Sequence, residues 1–192
     1  MSYVIVVLIV AGFMGFYLLK MKQELDSIRR SAIDFISINE EMKKTLLVGM
    51  YQRYKKSDDP EKENPLDFER FVAKIMSDVN QSEAFVTSGS GDFGVDIEER
   101  RGDGLYLGQI KCYADYNPVS FDPIAIIHSQ MIKQNAKGGY VITTSTFTPN
   151  AKAYAEGLNI RIIEGRELID LWVRSLEHKN ASSKFIFNPS IA

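Results

Sequence analysis

With a single cysteine, Cys112, no disulfide can close within this chain, and a reducing compartment suits it. Cys112 falls on the core-facing side of an expected strand with no histidine near it in sequence, so it reads as a buried structural thiol rather than a nucleophile. Histidine is almost as scarce, with two in 192 residues. No second histidine or cysteine stands at ligand spacing from His128, which reads as an ordinary helix residue beside Ile127 and Met131, and structural zinc is not expected. Charge is missing from one place above all: Tyr3 to Leu19 is an unbroken run of 17 uncharged residues. No basic stretch precedes it and no small-residue cleavage site follows, so an anchor that is kept, rather than a removable signal peptide, is expected. A core helix this uniformly apolar would need protein cover on every side. The run is at the short end of what crosses a bilayer as a helix. Lys20, Lys22, Arg29 and Arg30 follow it, so the positive-inside rule puts the N-terminus outside and the rest in the cytoplasm: a single-pass cell-membrane anchor over residues 1–20.

From Met21 to about Lys56 the chain turns charged and helical, with no proline and one glycine, Gly49. Leu25, Ile28, Ala32, Phe35, Met42 and Leu46 recur at three- and four-residue steps, with Asn39 interrupting the seam. The stripe suits a parallel stalk that pairs with a second copy. The extra Ile33, Ile36 and Ile38 suit a helix packed on its own domain, since an apolar face says only that something covers it. Lys55 to Asn64 has linker composition and closes a stalk-and-linker unit over 21–64.

Asn64-Pro65 offers an N-cap and a first-turn proline, and Phe68, Phe71, Val72, Ile75, Met76 and Val79 form one apolar face, so a helix opens a domain over 65–173. A strand over Ala84 to Thr87 is followed by Val95 to Arg100 and Leu105 to Tyr113, joined as a hairpin through Gly102-Asp103-Gly104. Phe121 to Lys137 reads as a helix stopped by Gly138-Gly139, and Tyr140 to Thr144 as a strand parallel to Leu105 to Tyr113 through a crossover. A short helix over Pro149 to Glu156, a strand over Ile160 to Ile163 and a last helix starting at Glu167 to Trp172 complete the pattern. The fold class is α/β, a mixed β-sheet flanked by helices and preceded by a transmembrane helix and a helical stalk. A tail over 174–192 carries only the short apolar run Phe185 to Phe187.

Side chains alternate along a strand, so Gln109 and Lys111 share one face while Ile110 and Cys112 take the other. Asp96 lies between Val95 and Ile97, which are both expected on the opposite side of the sheet, so its carboxylate can meet Gln109 and Lys111. An acid, an amide oxygen and a lysine on neighbouring strands suit metal-assisted phosphodiester hydrolysis. Magnesium takes hard oxygen ligands from one or two carboxylates together with water and phosphate oxygens, and an ammonium group orients a water or offsets developing charge. Gly91, Asp92, Gly94 and Asp96 followed by Gln109 and Lys111 resemble the Mrr-like branch of the PD-(D/E)xK restriction-endonuclease superfamily, in which Gly-Asp-x-Gly-x-Asp precedes a Gln-x-Lys strand. The resemblance runs from Pro65 to Trp172 and takes in Phe68-Glu69, Val141 to Ser145, Phe147 and Ala151.

This resemblance implies a restriction-endonuclease-like fold and an endonuclease acting on double-stranded DNA in restriction or defence, using Mg²⁺ with Mn²⁺ as a substitute. It implies that Asp96, Gln109, the Ile110 backbone carbonyl and Glu69 face the metal, and that Lys111 orients the attacking water. Gln109 supplies a neutral oxygen where many relatives carry an acid. Glu69 also sits in a first helical turn, where the helix dipole favours an acid without any chemistry. The other reading is a membrane-tethered nucleic-acid-binding or scaffold protein that keeps the nuclease fold without turnover. Its motivation is charge: Pro65 to Trp172 holds ten Lys plus Arg against fifteen Asp plus Glu, and phosphate neutralisation dominates DNA affinity. Lys133, Lys137, Lys152 and Arg161 are the candidates for a basic patch that would offset this acidity.

Overall fold

The uncharged run and the first charged turns after it form one helix, α1 (Ser2–Ile38), in the computed structural model, which describes residues 2–56, 66–87 and 93–185. Within α1, Tyr3–Ile36 contains a window long and apolar enough to cross a membrane, and none of that window is buried against the rest of the chain. The helix does not continue to Lys56. Asn39 takes an extended conformation and its side chain accepts a hydrogen bond from the Met42 N–H at 3.0 Å, starting α2 (Glu40–Tyr54) with Glu40 and Glu41 in its first turn. An Asn side chain competes well for orphan backbone donors, so the residue that interrupts the apolar seam also divides the helix.

The apolar stripe divides as well. Leu25, Ile28, Ala32 and Phe35 are exposed, whereas Ile33 and Met50 are buried in the main core with Ile36, Leu46 and Leu47 packed against it. Lys43 of α2 reaches Asp170 at 2.9 Å, and Tyr54 packs between Phe68 and Phe71, with Phe71 edge-on to Trp172. The packed-helix alternative thus describes 33–54, including Leu46 of the stripe, and only Leu25, Ile28, Ala32 and Phe35 of the expected seam stay open.

Helix α3 (Asp67–Asn80) buries Phe68, Val72, Ile75 and Met76, a 3.6-residue stripe, and ends in left-handed Gln81. The expected Asn64-Pro65 cap, most of the expected linker and residues 186–192 of the expected tail lie outside the described residues. The sheet comprises β1 (Glu83–Val86), β2 (Ile97–Arg101), β3 (Gly104–Lys111), β4 (Gly138–Thr143) and β5 (Ile160–Ile163), in that spatial order. β1, β2 and β3 pair antiparallel, and β3, β4 and β5 pair parallel. The crossover between β3 and β4 is α4 (Asp122–Gln134), which buries Ile124, Ile127 and Met131 on one face of the sheet beside α5 (Pro149–Ala155). α3 and α6 (Gly165–Phe185) cover the other face. The result is a mixed five-stranded sheet with helices on both faces.

Two expectations are corrected. α4 is stopped by Asn135 in the left-handed region (φ 53°), not by Gly138-Gly139, which open β4. Those glycines serve packing: a Cβ on Gly138 would stand 2.8 Å from the Tyr106 ring, and one on Gly139 would stand 2.9 Å from the Met131 sulfur. The last helix is far longer than expected. Val173, Ser175 and Leu176 extend the face that begins with Leu168, Ile169 and Leu171, so packing carries α6 into the segment read as tail.

Candidate active site

Two left-handed residues in a row, Phe93 (φ 51°) and Gly94 (φ 82°), bring the chain to Asp96. Gly94 is required twice: its φ disfavours any side chain, and a Cβ there would stand 2.7 Å from Ile126 and 3.1 Å from Gln109 Nε2. The remainder of the glycine-rich run, including Gly91 and Asp92, lies outside the described residues. Beyond the turn, the Asp96 N–H donates to the Gly108 carbonyl at 2.9 Å, although Gly108 is registered against Ile97. Two residues of one strand thus stand against one of its partner, the geometry of a β-bulge. This corrects the expectation that Val95 and Ile97 share a side: Val95 joins the α4 cluster and Ile97 the α3 and α6 cluster. The Thr87 N–H donates to the Asp96 carbonyl at 3.0 Å and the Thr87 hydroxyl to the Val95 carbonyl at 2.5 Å, locking the bulge to the end of β1.

Held this way, Asp96 turns its carboxylate onto β3. Oδ2 accepts the Ile110 N–H at 2.6 Å, a charge-assisted bond that fixes its position. Gln109 and Lys111 flank that amide. Gln109 is only 4 % exposed, and its Oε1 is buried with no hydrogen-bond donor among the described residues. A buried amide oxygen without a donor costs stability unless something else satisfies it. Lys111 is half-buried at the end of β3, registered against buried Thr143, and makes no ion pair with any described residue. Glu69 is half-buried in the first turn of α3. Since α3 doubles back into β1, which runs in the same direction as β3, that turn lies at the end of the sheet where Lys111 sits. Among the described residues no three His, Cys, Asp or Glu side chains cluster as a metal centre. The oxygen set here is Asp96 with the amide Oε1 of Gln109, and hard oxygen donors of this kind fit a divalent cation such as Mg²⁺.

Two of the four candidates for a basic patch are taken up by acids. Lys152 pairs with Glu164 at 2.7 Å and Arg161 hydrogen-bonds Glu167, leaving Lys133 and Lys137 without ion pairs among the described residues. Glu164 also accepts the Phe147 N–H at 2.9 Å. Burial alone would raise its carboxyl, but the Lys152 bond and the Phe147 amide outweigh it and hold the group below the usual glutamate range. A depressed folded value stabilises above the usual carboxyl range and is lost as pH falls through it. Glu164→Gln should therefore lose stability relative to the native chain at pH 7, with the two denaturation curves converging as pH falls below about 4. Cys112 is partly buried against the core, and burial pushes its thiol up despite a bond to Thr144, in keeping with a structural role.

Sequence reasoning missed one buried acid. Glu99, 0 % exposed, accepts from Asn80 (2.9 Å), Ser82 (2.5 Å) and both Nε and Nη2 of Arg101 (3.0 and 2.9 Å), on the sheet face opposite Gln109 and Lys111. The signal was available, because Glu99 has the parity of apolar Ile97 in β2.

Among solved structures, the modification-dependent restriction endonuclease AspBHI superposes with a TM-score of 0.57 at 19 % identity, over 75 % of this chain and 39 % of its own. The restriction endonuclease MspJI, in complex with a 27-mer oligonucleotide, gives 0.59 at 19 % identity over 75 % of this chain and 34 % of its own. The chain therefore spans well under half the length of either enzyme, and at this identity the likeness is one of fold. No curated protein sequence matches it. The Mrr_cat restriction endonuclease profile matches residues 60–172, more than half of the chain and all of the sheet, and on that basis the chain belongs to the Mrr-type restriction endonuclease family.

Proposed function

We propose that this chain is a membrane-anchored, Mg²⁺-dependent DNA endonuclease serving restriction or defence, with Mn²⁺ able to substitute. The observation that carries the reading is the buried Oε1 of Gln109, which has no donor among the described residues and is next in sequence to the amide that Asp96 grips. Asp96, Gln109 Oε1, the Ile110 carbonyl and Glu69 would hold the cation. A divalent ion bound there supplies Lewis acidity toward a phosphodiester oxygen. Lys111 orients the attacking water and offsets charge on the phosphate as it is attacked. Asp96 keeps its geometry through the Ile110 N–H and so needs little reorganisation. The oligonucleotide held by MspJI supports a DNA substrate for this related fold.

The uncovered apolar window within Tyr3–Ile36 supports a single-pass anchor with the N-terminus outside and the domain over 65–173 in the cytoplasm. Leu25, Ile28, Ala32 and Phe35, exposed along the same helix, support a parallel homodimer through the stalk, and crosslinking of the full chain in membranes checks it.

The test is calorimetric titration of the purified full chain with Mn²⁺ and Mg²⁺, alongside plasmid cleavage. Lys111→Ala should retain cation binding and lose cleavage, and full metal-dependent cleavage by this variant would overturn the reading. Gln109→Leu should lose cation affinity while gaining about 1 kcal/mol in folding stability, since a donorless buried oxygen is removed. The acidity of 65–172 favours a second reading, a nuclease fold used as a tethered nucleic-acid-binding scaffold without turnover. A native chain that binds DNA but takes up no cation would select it.

A further inference from the structure

The turn that delivers Asp96 also displays a side chain that the chemistry above does not use. Phe93, three residues upstream, is 66 % exposed and adopts φ 51°, a conformation that disfavours every residue with a Cβ. Folding alone would be better served by glycine at this position. The ring is not loose: Lys133 Nζ of α4 lies 4.2 Å from its centroid, a cation–π contact. Gly94 packs on Ile126, two helical turns before Lys133, so the turn lies along one flank of α4, and Ile126 is itself partly exposed. The same glycine lies against the Gln109 amide, which sets this flank beside the catalytic candidates.

Lys133 is also distinctive in charge. The domain is net acidic, and Lys152 and Arg161 are committed to Glu164 and Glu167, whereas Lys133 makes no ion pair with any described residue. An exposed aromatic ring and an uncommitted ammonium, fixed side by side at the edge of the site, match the two chemistries a nucleotide offers. The ring can stack on a base and the ammonium can take a phosphate.

Resting on the nuclease reading above, we propose that Phe93 and Lys133 seat the substrate strand. The Phe93 ring stacks on a nucleobase beside the phosphate to be cut, and Lys133 binds a flanking phosphate. The left-handed conformation is then the means by which the ring is held outward at the site rather than folded into the α4 cluster.

The test is fluorescence anisotropy of the full chain in detergent with a fluorescein-labelled single-stranded oligonucleotide of random sequence, in which bases are free to stack on the ring, in Ca²⁺ so that binding is read without turnover. Phe93→Gly should bind roughly 5- to 150-fold more weakly while melting no lower than the native chain, a combination that a merely structural role would not produce. Phe93→Trp should keep the affinity. Lys133→Gln should reduce the slope of log affinity against log salt by about 0.7. Native affinity in Phe93→Gly, or an unchanged salt slope in Lys133→Gln, overturns the proposal. Because binding is read apart from cleavage, a chain that binds through Phe93 yet never cuts sinks the nuclease reading and leaves this one standing. A chain that cuts normally with Phe93→Gly at native affinity does the reverse.

Discussion

Asp96→Asn is expected to cleave DNA about 10³-fold more slowly than the native chain while melting at nearly the same temperature. The rate loss follows from the charge. Lewis-acid stabilisation of a phosphoryl transition state is worth several kcal/mol, and each 1.36 kcal/mol is tenfold in rate, so an amide that holds the cation poorly forfeits about three decades. The stability expectation follows from the hydrogen bond. Asparagine still presents an oxygen to the Ile110 N–H, and the backbone bonds that lock the bulge, Asp96 N–H to Gly108 and Thr87 N–H to Asp96, do not involve the side chain. Asp96→Ala separates the two roles. It should lose activity to a similar extent and also about 1–3 kcal/mol of unfolding free energy, because the Ile110 amide is left without an acceptor. Initial cleavage rates beside urea denaturation of the same preparations measure both. Native-rate cleavage by Asp96→Asn would remove this carboxylate from the metal site.

What was legible in the sequence was what a local pattern dictates. Strand alternation put Gln109 and Lys111 on one face, glycines marked the hairpin at Gly102 to Gly104, and the apolar period of α3 named the residues it buries. Illegible features depend on partners distant in the chain or on a local exception to the period. Val95 and Ile97 were placed on one side because a two-residue repeat was assumed, and the bulge at Asp96 breaks that repeat. Asn39 was seen as a flaw in a heptad seam, but its side chain caps a new helix because the Met42 N–H is in reach. Lys152 and Arg161 were candidates for a DNA patch because sequence shows charges and not their partners, and Glu164 and Glu167 lie on strand-end and helix segments brought near only by folding. The candidate site was read from a short-range motif, with Gly94 to Lys111 spanning one turn and one hairpin, and the long-range element it draws on, Glu69, entered only through family resemblance.

Glu99→Ala should cost about 3–5 kcal/mol of unfolding free energy, the range for breaking a buried ion pair from one side. That is a large share of the roughly 5–15 kcal/mol that a domain possesses. The size follows from what the carboxylate serves. Its two oxygens engage Arg101 twice, with Asn80 and Ser82 completing Oε1, so one truncation leaves a guanidinium and two polar groups short of an acceptor. Arg101 is further confined, with its guanidinium 3.9 Å from the Tyr106 ring centroid, and cannot swing far into water to recover the loss. Those donors join the end of α3, the turn after it and β2, so the network ties α3 to the strand that carries Asp96 at its head. The pair itself is not the source of stability, since replacing buried ions on both sides by apolar groups is often neutral. The double variant Glu99→Met with Arg101→Met should therefore recover much of what either single change loses, with a coupling energy of about 1–3 kcal/mol. Tyr140 provides the control. Its buried hydroxyl makes no well-formed hydrogen bond among the described residues and faces Glu99, and burial followed by that charge pushes the phenol well above its usual value, so Tyr140→Phe removes a poorly satisfied group from the same neighbourhood. Urea denaturation of the full chain in detergent should show Tyr140→Phe within about 0.5 kcal/mol of native or above it, and Glu99→Ala far below. Equal midpoints for those two variants would show that the carboxylate is not what holds α3 to β2.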